Sequence, residues 1–136
     1  MRSSIEAAIS ATGRGELTIV TDDERRENEG DLIMAAQAAT PEKIAFMLRH
    51  TSGVICISLS GQRLAALELP PMAGGNQESQ RTAFTVSVDL AAGVSTGISA
   101  SDRARTIQAP EHNVAYLATK RARIGHLLDG AEATVR

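Results

Sequence analysis

Ten consecutive residues, Asp22-Asp23-Glu24-Arg25-Arg26-Glu27-Asn28-Glu29-Gly30-Asp31, carry six carboxylates and two guanidinium groups. Carboxylate oxygens at this density can hold a hard divalent cation, which prefers oxygen ligands and keeps several of its waters. An adjacent arginine can grip a phosphate bidentately while one carboxylate serves as a base. A charged surface turn has the same composition, so density by itself does not separate the two readings.

The flanking residues say what must position this cluster. Leu17-Thr18-Ile19-Val20 reads as a strand over about 16 to 21, and Leu32-Ile33-Met34-Ala35-Ala36 as a second buried strand. The acidic stretch is then a connection between two pieces of core, with Gly30 available for a backbone angle that other residues resist. Residues 4 to 12 read as a short helix with Ile5, Ala8 and Ile9 on one face.

Thr40-Pro41-Glu42 is a helix start: a hydroxyl N-cap, a proline in the first turn, and a carboxylate at the positive end. Ile44, Met47 and Leu48 make its apolar stripe and Gly53 its stop, before a buried strand over 54 to 59 that carries Cys56. Residues 61 to 67 make one or two helical turns. Pro70 to Gln80, with two prolines and two glycines, reads as a mobile connection, and Phe84 to Val88 alternates as a strand. Ser99-Ala100-Ser101-Asp102 matches a capping box at the head of another helix. Pro110 then opens a helix bearing Val114, Leu117, Ile124, Leu127 and Leu128 on one face and Lys120, Arg121 and Arg123 on the other.

The order of residues is more specific than their density. Asp22 to Ile33 closely resembles the motif near the start of the 3,4-dihydroxy-2-butanone 4-phosphate synthase family. The likeness continues through Thr40 to Cys56, Thr82 to Asp89 and Gly93 to Arg103, covering residues 5 to 107 in order. The resemblance implies an α/β fold with a mixed sheet and flanking helices, in a single domain over 1–136. Residues 1–107 are synthase-like and 108–136 form a divergent helical segment. It also implies conversion of D-ribulose 5-phosphate to 3,4-dihydroxy-2-butanone 4-phosphate plus formate, in riboflavin biosynthesis, with magnesium or manganese as cofactor and a homodimer as the assembly.

Carried over residue by residue, the resemblance makes Glu27 a metal ligand that also contacts substrate, and Arg26 and Asp31 substrate-binding groups. Glu29 is a further acidic member of the catalytic set. Cys56 falls where the family places a cysteine near the site and is carried over with Glu27 and Glu29 as a catalytic residue, although a small buried hydrophobe in a strand explains it nearly as well. Thr96 and Asp102 lie in a loop leading to a helix N-terminus, a geometry suited to anions, and the resemblance makes them substrate-binding. A structural cap remains an alternative for Ser99 and Asp102, and His50 reads as a structural residue at a helix end.

Beyond residue 107 the family's block ending in Gly-His-Thr-Glu-Ala, the source of its second metal ligand, has no recognisable counterpart. Residues 111 to 128 have a faint likeness to the family's C-terminal helix. Gly125-His126 with Ala131-Glu132-Ala133 has a scattered likeness to the block itself. His126 reads as a helix residue and not as a ligand.

Composition bounds the rest. A chain of 136 residues with 43% hydrophobic but only 2% aromatic residues builds one modest aliphatic core. A net charge of −2 gives no electrostatic case for nucleic acid. No apolar run approaches the ~20 residues of a membrane span, no secretory leader is evident, and a single cysteine precludes an internal disulfide. The expected address is the cytoplasm. Two further functions compete with the lyase: a truncated, catalytically silent homologue that binds sugar phosphate or a partner subunit, and an enzyme retaining the enolising half of the chemistry for another substrate.

Overall fold

The computed structural model describes residues 4–25, 28–75 and 84–109, together with the backbone of 131–135. In chain order these form α1 (Ile5–Gly13), β1 (Thr18–Thr21), β2 (Gly30–Ile33), a 3-10 turn (Ala36–Ala38), α2 (Pro41–His50), β3 (Ile55–Leu59), α3 (Gly61–Ala66), α4 (Ala100–Ile107) and β4 (Ala131–Val135). The class is α/β, with helices flanking strands that pair antiparallel among the described residues: β1 with β2, and β3 with β4.

The helices begin where the caps require. Ser4, Thr40, Ser60 and Ser99 each sit extended ahead of a helix and accept a backbone N–H three residues on, from Ala7, Lys43, Arg63 and Asp102. Each bond satisfies one of the N–H groups a helix start leaves without a partner. Glu42 and Asp102 add a negative charge in the first turn of α2 and α4, where the helix dipole favours it. α2 stops at His50, three residues ahead of Gly53, and the His50 ring packs on Phe46 with centroids 4.4 Å apart.

Two apolar clusters form the core. Ala39, Ile44, Ile55 and Ala104 are buried together, with Met34, Met47, Ile57, Ala100 and Ile107 against them. Leu64, Leu67, Leu69, Val86 and Val88 form the other, with Leu59 packed on it. β3 joins the two, since Ile55 and Ile57 enter the first cluster and Leu59 the second. Lys43 adds a polar tie beneath the first, its Nζ donating to the carbonyls of Gly15 at 2.6 Å and Ala38 at 3.1 Å.

Three expectations change. Among the described residues, the strand expected over 84 to 88 makes short contacts: Met72 donates to the Phe84 carbonyl and Val86 to the Pro70 carbonyl, around a bridge between Pro71 and Thr85. Val86 and Val88 are buried against Leu64 of α3 and against Leu67 and Leu69 of the turn that follows it. The second strand spans Gly30–Ile33 and ends before Met34, so it includes the last residues of the acidic motif. Residues 131–135 run as a strand; residues 110–130, where a helix was expected, lie outside those described, as do 76–83 of the connection after Pro70.

Candidate active site

β1 and β2 form a hairpin whose connection is the acidic motif. Thr18 faces Ile33, Ile19 faces Leu32, Val20 faces Asp31 and Thr21 faces Gly30. Past that last pair the ends are tied twice more. Asp22 donates its N–H to the Glu29 carbonyl at 3.3 Å, and the Glu29 N–H donates to Asp22 Oδ1 at 3.0 Å. Asp23 accepts from the Arg25 N–H at 2.9 Å, so two of the motif's carboxylates fold the connection itself. The left-handed backbone falls at Asn28, with φ of +53°, and not at Gly30. Asparagine tolerates that region because its short amide can bond locally.

Glu29 and Asp31 are exposed on this hairpin, while Arg26 and Glu27 lie outside the described residues. Asp31 shares its face of the hairpin with Val20, its cross-strand partner. The strands expected to be core are largely a surface: Ile19 is 74% exposed, Val20 and Ile33 are exposed, and only Thr18 and Leu32 are half-buried. Among the described residues β1 and β2 pair only with each other, and a two-stranded hairpin by itself offers its apolar residues no interior.

Cys56 is half-buried in β3, its Sγ 3.8 Å from the Val54 carbonyl. Strand alternation turns it away from the face on which Ile55 and Ile57 meet the core.

The loop ahead of α4 is built differently from the hairpin. Gly93 and Gly97 take φ of +81° and +82°, and the loop folds over the first turn of the helix. Asp102 is 5% exposed, and both its oxygens face back into the loop. Oδ1 accepts from the Ser95 N–H at 3.2 Å; Oδ2 accepts from Ser95 Oγ at 2.8 Å and from the Gly97 N–H at 3.3 Å. The Ser95 hydroxyl, more than any other group, holds the Asp102 carboxyl below its ordinary value of 3.8. What this contributes to stability is therefore complete above that value and lost as pH falls through the lower folded one. Thr96 is exposed between the two residues that Asp102 binds.

The sequence-read residues thus fall in three places: Glu29 and Asp31 on the hairpin, Cys56 on β3, and Thr96 with Asp102 at the head of α4. One apolar cluster links them, because Met34 follows β2, Ile55 and Ile57 flank Cys56, and Ala100 and Ala104 flank Asp102. Sequence reasoning did not single out Ser95, Asp89 or Arg103. Asp89 is buried beside Gly97, and its charge opposes the effect of burial on the Arg103 guanidinium, whose pKa is lowered. Nothing in the local sequence marks a contact between residues eight positions apart.

The family model for 3,4-dihydroxy-2-butanone 4-phosphate synthase matches residues 6–128. The chain is also 55% identical over 107 residues to the 3,4-dihydroxy-2-butanone 4-phosphate synthase of Agrobacterium fabrum, across 79% of its own length. This chain belongs to the 3,4-dihydroxy-2-butanone 4-phosphate synthase family. It spans 50% of the Agrobacterium protein. It spans 25% of the riboflavin biosynthesis protein RibBA of Nocardia farcinica, to which it is 54% identical over 105 residues and 77% of its length. Among solved structures, a synthase of the family in complex with two magnesium ions superposes with a TM-score of 0.75 at 33% identity, over 98% of this chain and 76% of the other. The fold expected from the motif is therefore the fold observed. The family match runs beyond residue 107, where the resemblance by motif ends.

Among the described residues of this family member, no three His, Cys, Asp or Glu side chains stand close enough to hold a metal ion. Asp22 and Asp23 are bonded within the turn, leaving Glu29 and Asp31 as its exposed strand-side carboxylates. Oxygen donors of this kind fit a hard cation that retains most of its waters. No helix among the described residues is long and apolar enough to cross a membrane.

Proposed function

We propose that this chain carries the acidic active-site half of a lyase that converts ribulose 5-phosphate to 3,4-dihydroxy-2-butanone 4-phosphate and formate. The observation that carries the reading is the hairpin, in which the motif specific to the family closes with Glu29 and Asp31 exposed. Substrate and products balance without an oxidant: the five-carbon sugar phosphate divides into a four-carbon ketone phosphate and formate.

Arg26 would hold the substrate through its planar guanidinium, and Asp31 would accept from sugar hydroxyls. Glu27 and Glu29 are the candidates to take the C3 proton. A divalent cation bound through Glu27, magnesium by preference and manganese as its substitute, would polarise the substrate oxygens as a Lewis acid. Thr96 would reach the substrate from the opposite loop. Cys56, half-buried on β3, would line the site and not act as a nucleophile. We take residues 1–136 as one domain, because β3 contributes to both apolar clusters, and the cytoplasm as its address, in keeping with a single cysteine.

Two experiments test this reading. Manganese titration followed by water proton relaxation should show weak binding to the native chain and its loss in Glu27→Gln; identical titrations would remove the metal site. With ribulose 5-phosphate and magnesium, deuterium uptake at C3 by NMR should exceed formate release. Both should fall on the order of a hundredfold in Glu27→Gln. Absence of exchange and of formate in the native chain would defeat the lyase reading.

A homodimer belongs to the same proposal. Ile5 and Ile9 on α1 and Ile19, Val20 and Ile33 on the hairpin are exposed, apolar surface that a second copy of the chain would cover. Ile19→Lys should shift sedimentation toward the monomer without lowering the melting temperature of the monomeric fold. A native chain that sediments as a monomer at micromolar concentration would refute the assembly.

A further inference from the structure

The loop from Gly93 to Ile98 is held by side chains at four of its six residues. Arg105 Nη1 donates to the Gly93 carbonyl, and Arg103 Nε donates to the Ile98 carbonyl at 2.9 Å. Between those ends the Asp102 carboxylate takes the Ser95 N–H, the Ser95 hydroxyl and the Gly97 N–H. Asp102 is itself fixed on every side. Its N–H donates to Ser99 Oγ at 3.0 Å, and its carbonyl accepts from Thr106 Oγ1 at 2.9 Å, a hydroxyl that also accepts from the Leu90 N–H at 3.1 Å. Behind the loop, Gly97 lies so close to Asp89 that a Cβ there would fall 2.6 Å from Asp89 Oδ2.

We propose that Asp102 is a positioning residue and not a substrate ligand: its buried carboxylate clamps the Gly93–Ile98 loop in the conformation that presents Thr96. Three features argue against direct binding. The carboxylate is almost wholly buried, both oxygens are directed into the loop, and a phosphate-bearing substrate would be repelled by a buried anion that stays ionised at neutral pH. What the anion does is fix two backbone amides on either side of one exposed threonine. Holding a contact residue in place lowers the ordering cost that binding would otherwise incur.

The clamp is a property of the fold; its effect on ligand rests on the ribulose 5-phosphate reading above, and the tests are separable. Amide hydrogen exchange measured by NMR on the full chain should show Ser95 and Gly97 exchanging at least ~10-fold faster in Asp102→Ala, since each amide loses its acceptor. In Ser95→Ala, a milder change that keeps the buried charge, Gly97 should exchange faster by a smaller factor. Unchanged exchange at Gly97 in both variants, or in Ser95→Ala alone where Asp102→Ala does not fold, overturns the clamp.

Ribulose 5-phosphate affinity should then be measured for native, Thr96→Ala, Asp102→Ala and the double variant. Each single change should weaken binding ~10-fold, and the double variant should bind no worse than the weaker single, because both remove the same contact. Multiplicative losses would mean that Asp102 meets the ligand or acts elsewhere, and would overturn the positioning role. If the native chain does not bind ribulose 5-phosphate, the proposed function falls while the exchange rates at Ser95 and Gly97 still decide the clamp.

Discussion

Gly97→Ala is expected to cost about 2–4 kcal/mol of stability, with displacement of the loop that carries Thr96. Two costs add. The backbone at Gly97 has φ of +82°, where an L-side chain is strained by roughly 1–2 kcal/mol. The added carbon would also overlap the buried Asp89 carboxylate, and overpacking a buried site typically costs about 1–3 kcal/mol. Asp89 cannot retreat freely, since it is 4% exposed and lies near the Arg103 guanidinium. Thermal unfolding by circular dichroism measures the first effect, and chemical-shift changes at Ser95 and Thr96 report the second. A melting temperature within a degree of native, with those shifts unmoved, would show that the loop does not pack as described. Gly30→Ala is the natural control: a Cβ there meets Thr21 and Ile19 at ordinary contact distances of 3.7 and 3.8 Å.

Ile44→Ala should be nearly as damaging for a different reason. Ile44 has 0% exposure and shares a cluster with Ala39, Ile55 and Ala104, so its truncation leaves a cavity bounded by α2, β3 and α4. Emptying such a site costs about 2–5 kcal/mol, as lost transfer free energy plus the cavity. In a domain of this size that corresponds to a fall in melting temperature of roughly 10–20 °C. Leu48→Ala on the same helix, 41% exposed, should cost under ~1 kcal/mol. Equal losses for the two would contradict the orientation of α2. The cavity would also loosen α4 against β3, so loop order at Ser95 and Gly97 should decline with it.

Much of the local structure was legible in the residues. Each helix start among those described is marked by a hydroxyl cap, and for α2 by Pro41 at its first turn, because the orphan N–H groups of a helix end must find an acceptor within three residues. The strand carrying Cys56 followed from its β-branched run. The acidic motif was specific enough to indicate the family by its residue order, and the family match and the superposed synthase bear this out.

Burial was less legible. Ile19, Val20 and Ile33 read as core because strand periodicity records that residues are apolar, not whether a second layer covers them. Phe84 to Val88 alternated like a strand, and among the described residues it is Thr85 that bridges to Pro71 while Val86 and Val88 pack on α3 and the turn after it. Gly30 looked like the residue of special backbone angle, whereas the turn placed that angle on Asn28, one residue before the Asp22–Glu29 tie.

The sequence by itself determined where helices begin, which stretch is acidic, and which family the chain resembles, since caps, charge and motif order act over a few residues. Only the tertiary structure decided that Asp102 turns its carboxylate into the 93–98 loop, that Gly97 rests against Asp89, and that one apolar cluster draws α2, β3 and α4 together. Those contacts join residues far enough apart that local chemistry does not specify them; they exist because burying Ile44, Ile55 and Ala104 together fixes where the intervening loops must run.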